Sequence, residues 1–272
     1  MPNVDLRIER DALAALGVLT HAYLTWDPAI PAGLDGNGRA DFTHYAGLNI
    51  HALVIDNVDG EVLALERNEI HEWESPVMHA EQAAVRTANE RLRVKRPRAA
   101  GMSVENYYRS RLFYAAGSTD GDFVRKGATL YTTLEPCPMC AATLLVCRMK
   151  RVVHVIPDKK FGGAWGDAAH PGLKARFYPQ YELRYEALAV GGGSDLCARV
   201  HDLLDRLASA IAPLRDQQVQ DTWFLDRLHP LLGEAMQLLI GAQSNDLATP
   251  DADRAVSERT LADLKRLCRL PG

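Results

Sequence analysis

From Ile50 to Ile156 the chain alternates short apolar runs of strand length with stretches of helical spacing, and this alternation most restricts its fold. The stretch "IHALVIDNVDGEVLALE", residues 50–66, reads as two apolar strands turned at Asp59-Gly60, a pair that favours a tight hairpin. A helix is expected over 79–93, with Ala80, Ala83, Ala84, Val85, Ala88 and Leu92 along its apolar side. "ATLYTTL" at 128–134 is a third strand, stopped by Pro136 and Pro138. The next helix runs from Pro138 to Met149, with proline in the first turn, where its missing N–H costs nothing. "RVVHVIP" at 151–157 is a fourth strand and "YELRYEALAV" at 181–190 a fifth, ended by Gly191 to Gly193. Strands separated by helices predict an α/β fold, a sheet with helices packed on it. The order of the strands is not readable from the pattern.

The flanks have a different texture. Residues 6–25 carry Leu6, Leu13, Leu16, Leu19, Tyr23 and Leu24 at helical spacing, and a Pro/Gly-rich loop runs from Asp27 to about Gly47. The stretch 94–127 mixes turn residues with aromatics and reads as an insertion, and helical pattern fills 195–213, 218–242 and 252–269. The organisation expected is an N-terminal helical extension over 1–48, a central domain over 49–213 and a C-terminal helical extension over 214–272. With 272 residues, 47% of them hydrophobic, disorder is excluded and a large core is affordable. No run approaches the roughly 20 apolar residues of a membrane helix. Asp5, Glu9 and Asp11 interrupt the pattern a signal peptide needs. Five cysteines, an odd number, do not suggest a disulfide framework, and a cytoplasmic location is expected. The net charge of −4 supplies no general attraction to nucleic acid, although it leaves room for a local basic patch.

Two short segments carry chemistry. His79-Ala80-Glu81 stands at the start of the helix after the hairpin, and Pro136-Cys137-Pro138-Met139-Cys140 at the start of the helix after the third strand. Cys137 and Cys140 are three apart, so both sulfurs can lie on one side of a first turn and hold one ion. A helix N-terminus also favours the thiolate, the form that binds metal. One imidazole with two thiolates makes three protein ligands, which leaves a tetrahedral position open, as in catalytic zinc sites. Glu81 is badly placed to share the ion but well placed to reach whatever occupies the open position. Zinc brings the pKa of a water there towards neutral, and a neighbouring carboxylate can take the proton and pass it to a departing group.

H-x-E followed by P-C-x-x-C resembles the zinc deaminase pattern. The resemblance to the cytidine-deaminase-like superfamily covers about Ile50 to Ser209, and is strongest for the branch of tRNA adenosine deaminases, guanine deaminases and fungal-type cytosine deaminases. The matching segments are "SPVMHAE", with Pro76 three before the histidine, "LYTTLEPCPMCAA" and "DKKFGGAWG". The last is similar to a segment of eukaryotic tRNA adenosine deaminase subunits, while P-C-P-M-C is common among bacterial guanine deaminases. The resemblance implies His79, Cys137 and Cys140 as ligands of one zinc ion, Glu81 as proton shuttle, and Asn68 as a base contact; Ala80 and Trp165 are further candidate substrate contacts. It implies the three-layer deaminase fold, a mixed sheet of about five strands covered by helices, here with helical N- and C-terminal extensions, and a homodimer. The substrate expected is a small amino-heterocycle, a base or nucleoside, ahead of tRNA or single-stranded nucleic acid. A non-catalytic, zinc-stabilised partner subunit is the remaining alternative, and Glu81 argues against it. The gap between His79 and Cys137 is about twice that of the small family members, because of the 94–127 insertion.

Plainer readings compete at several positions. C-x-x-C alone is also a redox pair or half of a structural zinc site, for which His154 and Cys147 are the nearby candidates. His154 is better explained as a buried sheet histidine, and Cys147, Cys197 and Cys268 as small buried thiols. Asn68 has a turn role as its alternative, and Glu135 is expected to brace its loop. Gly162, Gly163 and Trp165 fit either a pocket border or a glycine-rich turn. Arg91, Arg93, Lys95, Arg96 and Arg98 read as a solvated helix end before a phosphate-binding patch. Tyr107, Tyr108, Phe113 and Tyr114 either cover the site or anchor the insertion.

Overall fold

The computed structural model describes residues 2–25, 50–70, 73–98, 100–103, 126–158, 184–212, 228–247 and 251–271. Its centre is a five-stranded sheet of β1 (His51–Asp56), β2 (Val62–Arg67), β3 (Ala128–Leu134), β4 (Arg151–Ile156) and β5 (Arg184–Ala187). The spatial order is β2-β1-β3-β4-β5. β1 pairs antiparallel with both β2 and β3, whereas β3, β4 and β5 are parallel. The described helices are α1 (Pro2–Leu24), α2 (Ala80–Lys95), α3 (Pro138–Val146), α4 (Asp195–Ile211), α5 (His229–Gly241) and α6 (Asp251–Leu267).

Alternation along each strand divides the core in two. Ala52, Val54, Leu130 and Val152 face α2 and α3, where Ala80, Ala84, Ala88, Leu92 and Leu144 close over them. Leu53, Ile55, Tyr131 and Val153 point the other way, into a larger core shared with Leu13 and Leu16 of α1, Val200 and Leu203 of α4, Leu232 and Leu239 of α5, and Leu261 and Leu264 of α6. Each such leucine contributes about 2–3 kcal/mol through its burial. The result is the three-layer α/β architecture expected, a mixed sheet covered by helices on both faces. The N- and C-terminal helices build the layer that covers the second face.

Polar contacts explain how the flanking helices are held. Asp11 of α1 is buried against Arg151, 2.8 Å from its Nη2, and accepts a hydrogen bond from the Tyr131 hydroxyl at 2.8 Å. Arg10 donates to Oδ1 of Asn57 at 3.1 Å. α6 lies over the β1–β2 turn: Thr260 donates to the carbonyl of Gly60 at 2.7 Å, and Arg259 pairs with Asp59 and Glu61 at 2.6 and 2.7 Å. Asp263 accepts from the N–H of Val62 at 3.1 Å, giving the edge strand β2 a partner it lacks within the sheet.

The helix expected over 138–149 stops at Val146. Arg148 takes a left-handed backbone (φ 56°), and the N–H groups of Arg148 and Met149 return to the carbonyls of Leu145 and Leu144, which tucks Met149 into the core. Because β1 runs against both neighbours, the end of β2 and the end of β3 lie at one end of the sheet. The β1–β2 turn, with α6 over it, lies at the other.

Candidate active site

The first helical turns of α2 and α3 meet at the end of the sheet where β2 and β3 finish. His79 is the N-cap of α2 and Cys137 the N-cap of α3; both have extended backbone, and neither side chain caps its own helix. A residue released from capping is free to point elsewhere, and here both point at each other. Nδ1 of His79 lies 3.6 Å from the sulfur of Cys137 and 3.4 Å from that of Cys140. The three donor atoms all lie within 4.8 Å of one another. Zinc–nitrogen and zinc–sulfur bonds of about 2.05 and 2.3 Å at a tetrahedral angle separate N from S by about 3.5 Å, so the donor set fits one zinc ion. Gln82 of α2 donates to the hydroxyl of Thr143 in α3 at 3.0 Å and holds the two helices in this relation.

In the site without its ion, one of the two thiols is already held in the metal-binding thiolate form. The Cys137 thiol is pulled down to about 4 by the hydrogen bond from Cys140, against its burial, and His79 adds to the effect. The same bond pushes the Cys140 thiol up. His79 is raised, mainly by its hydrogen bond to Cys137.

Glu81 follows in the first turn of α2. It is 3% exposed, burial raises its carboxyl to about 7, and its Oε2 has no hydrogen-bond partner among the described residues. Asn68, at the end of β2, is 4% exposed and accepts a hydrogen bond from the N–H of Ala80 at 2.7 Å. Since a backbone N–H can only donate, this contact fixes the amide orientation and leaves Nδ2 without a partner among the described residues. The N–H of Ala80 is thereby engaged, and its methyl group packs into the core. Trp165, Gly162, Gly163 and the aromatics from Tyr107 to Tyr114 lie outside the described residues.

Neighbouring positions resolve as well. Glu135 accepts from the N–H of Asp158 at 3.0 Å, the brace expected of it. His154 is 5% exposed in β4, on the sheet face that carries Val152, with its ring tilted over that of Tyr185 at 5.4 Å. Its Nδ1 has no partner among the described residues, and burial lowers its pKa. Tyr185 was not distinguished in the sequence; its hydroxyl is pushed up by burial and by the nearby Glu135 and Glu81 carboxylates. The thiols of Cys147, which is half-buried, and Cys268, which is buried, are both raised to about 11 by burial, as unreactive cysteines should be. In the basic run, Arg91 donates to the carbonyl of Val62, Lys95 pairs with Asp56, Asp59 and Glu61, and Arg96 pairs with Asp56. Most of that charge is spent inside the fold.

Residues 38–156 match the family described as the cytidine and deoxycytidylate deaminase zinc-binding region. That match covers less than half of the chain, and over it the chain is similar to the zinc-binding region of these deaminases. The tRNA-specific adenosine deaminase of Bacillus subtilis is 37% identical over 90 residues, 33% of this chain and 55% of that protein. The tRNA-specific adenosine deaminase of Aquifex aeolicus is 30% identical over 105 residues, 39% of this chain and 51% of that one. The chain thus spans about half the length of these relatives. Among solved structures, the guanine deaminase from Nitrosomonas europaea is similar at 16% identity with a TM-score of 0.34, over 65% of this chain and 79% of that one. The zinc-binding deaminase domain and the His79, Cys137 and Cys140 donor set together assign one zinc ion to this site.

Proposed function

We propose that the chain is a zinc-dependent hydrolytic deaminase that replaces the exocyclic amino group of a purine or pyrimidine ring with oxygen. The observation that carries this reading is the buried Glu81 carboxylate beside the three metal donors, with one oxygen that has no hydrogen-bond partner among the described residues. Zinc, when held by His79, Cys137 and Cys140, supplies Lewis acidity and lowers the pKa of water. The overall exchange is ring C–NH2 plus water to ring C=O plus ammonia. Glu81 accepts a proton from the attacking water, delivers it to the ring nitrogen, and then serves the departing amino group. Asn68 orients the ring: with its oxygen held by Ala80, its free amide N–H groups are donors for a ring acceptor. The N–H of Ala80 reaches substrate only if Asn68 releases it, so Asn68 is the primary contact.

The acidic net charge favours a small base or nucleoside as carrier of the ring. The names of the relatives, tRNA-specific adenosine deaminases, support a base carried in a nucleic acid instead. No described helix is long and apolar enough to cross a membrane, and a cytoplasmic location is part of this proposal. So is a homodimer: α3 is apolar but for Thr143, and exposed Pro138, Ala142 and Val146 leave an outer face suited to a second copy. The test is ammonia release by zinc-loaded protein over bases, nucleosides, tRNA and single strands, with Glu81→Gln alongside. Release that falls at least about 100-fold in Glu81→Gln at unchanged zinc content is expected; equal release by the variant would sink the proposal.

A further inference from the structure

The loop between β2 and α2 is closed at its base by the N–H of Glu69 donating to the carbonyl of Met78, so its two stems carry Asn68 and His79. Trp73 stands at its tip. It is 58% exposed, among the largest exposures of any apolar side chain in the described chain, yet it is held on two sides. Its indole N–H donates to Oε2 of Glu69 at 2.8 Å, and the guanidinium of Arg86 lies over one ring face, 5.4 Å from the centroid. Arg86 in turn sits 4.0 Å from the same Glu69 oxygen, which offsets the carboxylate charge. One face of the indole is therefore covered by a cation, its polar edge is tied down, and the remaining surface is open. Exposing a tryptophan forgoes its burial energy, and immobilising it removes the entropy that an exposed side chain would otherwise keep. Nothing in the core gains from this arrangement.

We propose that Trp73 and Arg86 form a stacking platform at the rim of the active site, which takes the nucleotide next to the reacting base of a single-stranded nucleic acid. A planar base stacks on the open face of the indole, with the ring already rigid when it arrives. Arg86 is itself 49% exposed at the side chain and supplies a cation for the phosphate that links the two nucleotides. Arg93, seven residues on along the same face of α2, is exposed with no ion-pair partner among the described residues, and continues the positive side of that path. Glu69 and Glu74 are the acidic groups described on the loop, and Glu69 is already engaged by Trp73 and Arg86. A free base or nucleoside has no second ring to place there, so the platform selects a polymer. This assignment rests on the deaminase reading for the first base, but its binding chemistry is independent of turnover.

The experiment is equilibrium binding of a fluorescein-labelled single-stranded RNA octamer of mixed sequence to the zinc-loaded full chain, followed by anisotropy. Trp73→Ala should weaken binding roughly five- to 150-fold, the range for one stacked base, while Trp73→Tyr retains most of the affinity. Arg86→Met should reduce the slope of log affinity against log salt by about 0.7, one phosphate contact. Val94→Ala, on an exposed position of the same helix, serves as the control and should bind as the parent does. Absence of octamer binding by the parent, or equal binding by Trp73→Ala, overturns the platform. So does a change in the sedimentation of the ligand-free chain in Trp73→Ala, which would place the indole between two copies. If Trp73-dependent binding is found without ammonia release from any substrate, the platform stands and the deaminase proposal falls. If a free base is deaminated while strand affinity ignores Trp73, the reverse holds.

Discussion

Gly60 tests whether the C-terminal helix is part of the domain or an appendage to it. It has φ +75°, a conformation that costs a non-glycine residue about 1–2 kcal/mol, and a Cβ added there would lie 2.2 Å from the carbonyl oxygen of Val256 and 2.7 Å from the hydroxyl of Thr260. Both atoms belong to α6, and the first is backbone, so the helix must shift. The shift breaks the buried hydrogen bond from Thr260 to Gly60, about 1 kcal/mol, and adds about 1–3 kcal/mol of overpacking. Alanine regains up to about 1 kcal/mol by restricting the unfolded chain. Gly60→Ala should therefore lose about 3–4 kcal/mol. Gly101 supplies the control, since its φ is +76° yet a Cβ there meets nothing within 4 Å. Gly101→Ala should lose about 1 kcal/mol or less, from strain offset by the same entropy. Urea unfolding of both variants against the parent measures the difference, which is the worth of the α6 contact. Equal losses would refute the reasoning and mean that α6 leaves the turn at little cost.

Three other outcomes follow from named contacts. Stripping zinc with a chelator should lower the melting temperature of the parent, by a shift worth about 4 kcal/mol where free metal stands 1,000-fold above its dissociation constant, and should leave Cys137→Ala unmoved. His21 and His51 face each other at 2.9 Å between their Nδ1 atoms, with His21 held down to about 4 by burial and by Arg67, and His51 lowered in the same way. The unfolded chain binds these protons first, so their stabilisation is complete above pH 6.5 and is lost as pH falls from there towards 4. His21 alone accounts for about 2 kcal/mol between pH 7 and pH 5, and His21→Gln should show that much less acid loss in urea unfolding; an unchanged loss would contradict it. Arg151→Met leaves Asp11 buried beside Tyr131 without its cation and should cost about 3–5 kcal/mol by the same assay.

What could be read in the sequence was local. The hairpin at Asp59-Gly60 and the two helix starts lie within a few residues of the signals that specify them, and so do the metal donors, because caps and C-x-x-C spacing act over one turn. The contacts that decide the rest join residues far apart: Asp11 with Arg151 across 140 positions, Thr260 with Gly60 across 200. A charged triplet such as Glu9-Arg10-Asp11 reads as a solvated face in one dimension, yet all three side chains are buried in α1. Likewise the basic run from Arg91 to Arg98 reads as free charge until Asp56, Asp59 and Glu61 are brought beneath it. Trp73 does carry a signal in one dimension, a tryptophan flanked on both sides by glutamate within the charged segment "NEIHEWES".

The two ends of the sheet are built on opposite terms. At the β1–β2 turn every carboxylate named has a cation: Asp59 and Glu61 meet Lys95 and Arg259, and Asp56 meets Lys95 and Arg96. At the other end, Asn68 Nδ2, Glu81 Oε2 and His154 Nδ1 are buried without a hydrogen-bond partner among the described residues. Each such group costs about 1–3 kcal/mol while it stays unpaired. On the proposed reading, the substrate ring would offer an acceptor to Asn68 and a proton or donor to Glu81. A ring with an acceptor atom and a protonatable nitrogen meets both conditions, and a fold stabilised at the far end can carry that cost between turnovers.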